Sequence, residues 1–143
     1  MGRAKISAEI GRDAVCRAVE QLAPEVAALG SAEATTSSPA TTAPTDADRD
    51  SLATAVRYLL QLLADTVPGN TVEVRVPPFG AIQCIEGPTH TRGTPPNVVE
   101  TDAATWLRLA TGALSWPEAR ARGSVSASGQ RADLSDFLPI RWR

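Results

Sequence analysis

Aromatic residues make up only 4% of this 143-residue chain, although 43% of it is hydrophobic. The interior must therefore come mostly from Ala, Val and Leu. Histidine occurs once, as His90, and the two cysteines, Cys16 and Cys84, lie far apart in neither a CxxC nor a CxxH setting. A lone His without Cys or carboxylate neighbours at ligand spacing makes no zinc site. Isolated thiols of this kind are expected to be reduced, in a cytoplasmic protein. No apolar run approaches the roughly 18 residues of a spanning helix, so no stable membrane anchoring is expected. The first residues carry no continuous apolar stretch after their basic groups, which argues against a secretory signal. Charge of one sign is missing too: 14 basic and 16 acidic residues leave a net charge of -2, with no reason to expect nucleic acid as partner. There is no G-x-S-x-G, no Walker loop and no G-x-G-x-x-G. No catalytic residue, cofactor or metal is expected.

What the chain does have is concentrated between Thr101 and Gly129. Asp102 is placed to cap a helix, with Thr105 three residues on. Ala103, Trp106, Leu107, Ala110 and Leu114 follow at the spacing of one helical face. Gly112 suits a left-handed C-cap. Ser115 and Pro117 start a second short helix over residues 115–122, which Gly123 ends. Residues 124–128 then alternate polar and apolar like a half-buried strand, closed by Gly129.

This order of cap, helix, Gly, helix, Gly, strand and Gly resembles the C-terminal half of the sterol carrier protein family. The residues that carry the resemblance are Asp102, Leu107, Leu109, Thr111, Gly112, Ala119, Gly123, Val125 and Gly129. With the segments on either side it covers roughly residues 48–139, and it looks most like the small actinobacterial sterol-carrier-like proteins. The spacing is moderately specific for the fold and weakly specific for function, because one fold serves several roles.

In chain order, residues 7–29 form a helix with a narrow apolar seam of Ile10, Ala14, Val15, Ala18, Val19, Leu22, Val26 and Leu29. Pro24 should kink or divide it. The seam either packs on the protein's own core or docks a partner or a second protomer. Residues 31–47 hold only Ala, Thr, Ser, Pro and acids, and are expected to be a disordered linker. Residues 49–67 form a helix with a broad face of Leu52, Val56, Leu59, Leu60, Leu63 and Val67, widened by Ala55 and Leu62. Residues 71–76 and 81–85 form a hairpin about Pro77, Pro78, Phe79 and Gly80, and residues 98–100 a third strand. Residues 132–138 read as a closing helix and 140–143 as a tail. The expected class is α+β: a largely antiparallel sheet covered on one face by helices, with an extra N-terminal helix. The domains are residues 1–30, a helical segment; 31–47, a linker; 48–139, the sterol-carrier-like domain; and 140–143.

Chemistry is sparse. His90 with Arg92 either contacts an anionic group or forms a polar turn stiffened by Pro95 and Pro96. Glu73, Glu86 and Glu100 read as solvent-facing or paired with arginine. Cys84 reads as inert packing on an apolar strand. Trp106 and Trp116 either line a cavity or fill the core. The resemblance implies more: an apolar tunnel between sheet and helices that takes a lipid, fatty acyl or sterol-like ligand. Its implied lining is Leu59, Leu63, Val74, Ile82, Trp106, Leu107 and Leu109. The implied function is non-enzymatic carriage of such a ligand. The alternatives are an accessory domain that docks on a partner enzyme, and a small thiol- or His-dependent isomerase using His90 and Arg92.

Overall fold

The computed structural model describes residues 5–30, 45–87 and 97–143, with the end of the first helix, residues 23–30, described as backbone only. The order is α1 (Ala8–Gly30), α2 (Asp46–Thr66), β1 (Val72–Val76), β2 (Gly80–Cys84), β3 (Asn97–Thr101), α3 (Ala103–Thr111), α4 (Trp116–Ala121), β4 (Val125–Ser128) and a 3-10 turn, Ser135–Phe137. The four strands form one open sheet in the order β2-β1-β3-β4. Its outer pairs are antiparallel, while β1 and β3 at its centre run parallel. Of the expected linker, Asp46 and Ala47 lie in the first turn of α2, and residues 31–44 lie outside the described residues.

The capping chemistry read from the sequence is in place. Asp102 accepts from the Thr105 N–H at 2.7 Å, and Gly112 closes α3 with φ at 91°, a conformation glycine adopts without steric cost. Ser115 caps α4, with Pro117 in its first turn. At α2 the helix begins at Asp46, ahead of the expected residue 49. Thr45 and Asp48 form a reciprocal capping box, and these hydrogen bonds hold the Asp48 carboxyl below the usual carboxylate range.

Strand alternation decides the two faces of the sheet. Val72, Val74 and Val76 are fully buried, and the register sets Val74 beside Ile82 and Val99, and Val99 beside Ala127. The opposite face carries Glu73, Arg75, Gln83, Glu100, Ser126 and Ser128, with Arg75 paired to Glu73 at 2.7 Å. Leu59, Leu60 and Leu63 of α2 and Trp106, Leu107 and Leu109 of α3 join the valines in one core. Trp106 is wholly buried, and its indole N–H donates to the Val56 carbonyl at 3.3 Å.

Three local expectations are corrected. The first helix is one element from Ala8 to Gly30, so Pro24 does not divide it. Its apolar seam also divides: Ala14, Val15 and Ala18 are buried, whereas Ile10 and Val19 are 61% and 37% exposed. The reason lies at Gly11, where an added Cβ would overlap the Tyr58 ring. That close approach turns Gly11, Ala14, Val15 and Ala18 toward α2, and leaves Ile10 and Val19 on other sides of the helix. Ala14, Val15 and Ala18 of the stripe are thus used within the chain, while the side chains of Val26 and Leu29 lie outside the described residues. The closing helix shrinks to one 3-10 turn, because the Asp133 carboxylate takes the Ser135 N–H at 2.8 Å and so competes with helix propagation. The last residues also belong to the core: Ile140 and Trp142 are buried, Ile140 donates to the Ala110 carbonyl at 2.8 Å, and Arg12 donates to the Trp142 carbonyl at 3.3 Å.

Candidate functional site

A groove of about 480 Å³ opens between α2 and the edge strand β2. It is lined by Ile6, Thr54, Arg57, Leu60, Gln61, Gly80, Ala81 and Ile82. Its origin can be traced residue by residue. Gly80, Ile82 and Cys84 alternate toward the helices, but Gly80 has no side chain to fill its place. A Cβ there would lie 3.6 Å from Leu60 Cδ1 and 3.8 Å from Arg57 Cγ, in ordinary contact and with no clash. The gap above Gly80 is therefore unfilled space that a modest side chain could occupy. β2 is also an edge strand, and among the described residues no further strand closes that side.

The groove's outer wall comes from the lead-in to α1. The Gln61 side chain accepts from the Ile6 N–H at 2.9 Å and donates to the Ile6 carbonyl at 3.0 Å. Both ends of the amide are thus committed to one extended residue, which holds Ile6 over Leu60 much as a neighbouring strand would. Arg57 lies at the turn end, where its Nε donates to the Phe79 carbonyl at 2.8 Å. Thr54, Arg57 and Gln61 are spaced at 3 and 4 residues along α2, so they share one helical face.

The residues implied as a tunnel lining are distributed differently. Leu59, Val74, Trp106 and Leu107 are 0% exposed and border neither this groove nor the two smaller clefts. Leu63 borders a cleft of about 310 Å³ with Val67, Phe137 and Ile140. Leu109 borders one of about 240 Å³ with Leu114, Trp116 and Leu138. Ile82 alone of the seven lines the groove. A wider depression of about 670 Å³, lined by Cys16, Val19, Glu20 and Trp142 among others, lies at the far side of α1. There Arg143 covers the Trp142 ring at 4.9 Å.

Ile6, Thr54, Arg57, Gln61 and Gly80 were missed by reading the sequence. One signal was present: a glycine in phase with Ile82 and Cys84 on the inward side of a strand. His90 and Arg92 lie outside the described residues. Cys84 is buried, and burial pushes its thiol up to about 11, the opposite of what a nucleophile needs. Among the described residues no cluster of three His, Cys, Asp or Glu could hold a metal, and no helix is long and apolar enough to cross a membrane.

A helix-covered mixed sheet with capped α3 and α4 leading into β4 defines a small α+β domain. Residues 48–140 match the model of the family described as "Bacterial SCP ortholog", and the chain belongs to that family. No curated protein matches the chain.

Proposed function

We propose that the protein binds or carries a small apolar or amphipathic ligand of lipid, fatty acyl or sterol-like kind, without chemical turnover, in the groove between α2 and β2. Membership of the family supports a carrier role. The observation that carries the site assignment is the groove itself: about 480 Å³, with Ile6, Leu60 and Ile82 as apolar walls and one charged residue in its lining. That volume falls within the roughly 300–1,000 Å³ of small-molecule sites. The inward-facing core behind it, Leu59, Val74, Trp106 and Leu107, supplies rigidity. Two free thiols, one exposed and one buried, suit work in the cytoplasm.

Each methylene taken from water contributes about 0.8 kcal/mol. Against that stand association costs of roughly 4–15 kcal/mol, so a single chain should bind only weakly to micromolar. Affinity should rise with chain length and then level off where the groove ends. A calorimetric titration of saturated fatty acids of about eight to eighteen carbons reads both features. No binding, or affinity flat with length, would leave an interaction domain as the better reading. Turnover of an acyl- or maleyl-thiol substrate would overturn the non-enzymatic one.

A further inference from the structure

We propose that the groove selects its ligand by charge, taking a chain that carries one negative charge at one end and setting that end against Arg57 and Thr54. This rests on the groove being the ligand site. Arg57 is the one charged residue among the eight described residues that line it. Its Nε–H is spent on the Phe79 carbonyl, which anchors the guanidinium beside the β1–β2 turn. The two terminal nitrogens remain as a planar fork suited to a carboxylate. Among the described residues Arg57 makes no ion pair, so no internal carboxylate competes for that fork.

The other polar groups of the lining reinforce the sign. Thr54 lies three residues before Arg57 on the same helical face and brings a hydroxyl to the same rim. Gln61 has the only side-chain amide in the lining, and both of its ends are taken by the Ile6 backbone. Among the described residues the groove therefore presents donors at its Arg57 end and no carboxylate to receive a cation. Away from that end Ile6, Leu60 and Ile82 receive an apolar chain. Cationic head groups are repelled, and neutral ones gain nothing from the guanidinium.

Three ligands of one chain length separate the terms: decanoate, decanol and decylammonium, titrated calorimetrically at neutral pH below their aggregation thresholds. Because Arg57 is exposed, water screens the contact, and decanoate should bind about three- to tenfold more tightly than decanol. Decylammonium should bind most weakly. Arg57→Gln should weaken decanoate several-fold more than decanol, bringing the ratio of the two affinities close to one, whereas Gly80→Val should weaken both alike. Arg57→Lys should keep part of the preference. Equal binding of decanoate and decanol to the native protein, or an equal loss of both in Arg57→Gln, overturns the charge selection. Failure of all three to bind, or indifference of all three to Gly80→Val, overturns the groove itself.

Discussion

Two apolar regions of this protein lie side by side and have opposite characters. Between the centre of the sheet and α3, Leu59, Val74, Trp106 and Leu107 interlock at 0% exposure. A few ångströms along α2, toward the sheet edge, the same helix faces Gly80 and Ile82 and leaves a groove of about 480 Å³. Both are built on α2 and one face of the same sheet. The difference is one of supply. The centre receives an indole and several branched side chains, and closes to the density of a protein interior. The edge receives a glycine and, among the described residues, has no strand beyond it. Apolar periodicity therefore marks where a core will be, whereas a cavity is marked by the side chain that is missing.

The comparison is broken most severely from the packed side. Trp106→Ala should cost about 3–5 kcal/mol in stability, because the region cannot collapse around a vanished indole. Chemical denaturation measures this, and decanoate affinity per folded molecule should stay close to native. If Trp106→Ala instead shifted the chain-length limit, the ligand would reach the centre. Gly11→Ala comes next, at about 1–3 kcal/mol, since its Cβ would collide with the Tyr58 ring and prise α1 from α2. Asp102→Ala should remove about 1 kcal/mol by taking away the cap of α3. A loss below measurement would mean that the Thr105 N–H finds another acceptor.

Gly80→Val sharpens the comparison from the open side. A branched residue suits a strand, and the first added carbon meets only ordinary contacts, so stability should change by less than about 1 kcal/mol. The groove should fill and ligand affinity should fall sharply. A variant that binds as the native protein does would relocate the site.

The two cysteines give the smallest effect. Cys16 is exposed and Cys84 buried, so alkylation of the native protein near neutral pH should label one thiol, and labelling in denaturant two. The Cys84 thiol moves from an ordinary 9.0 to about 11 through burial. An acid whose folded value is raised favours its neutral form in the fold. Its contribution is therefore complete below pH 9.0 and is lost as pH rises through about 11. Cys84→Ala should flatten that alkaline loss, which melting temperatures at pH 8 and 10.5 would register. An unchanged slope would assign the alkaline loss to other groups.

Much of the fold was legible because local chemistry states it directly. Asp102, Gly112, Ser115 and Pro117 each mark one helix end, and the alternation of Val72, Val74 and Val76 marks the inward face of β1. Less was legible where a long-range contact decides. Nothing near Gly11 in the sequence announces the Tyr58 ring, and Pro24 as a helix breaker gave way to a helix that is continuous in space. Trp142 between two arginines reads as a tail until α1 is seen to receive its carbonyl. The site was the least legible part. The resemblance named the inward-pointing aliphatic residues, but those that line the groove are polar or small: Thr54, Arg57, Gln61, Gly80 and Ala81. Their juxtaposition depends on how the N-terminal lead-in folds back on α2, 55 residues away in sequence.

The most direct test of the account asks which methyl groups touch a bound chain. Intermolecular NOEs between decanoate and methyl-labelled protein would report this without any substitution. We expect contacts to Ile6, Leu60 and Ile82, and none to Val74, Leu107 or Leu109. Contacts to Val74 and Leu107 without Ile6 or Ile82 would place the chain in the centre of the molecule and contradict the groove.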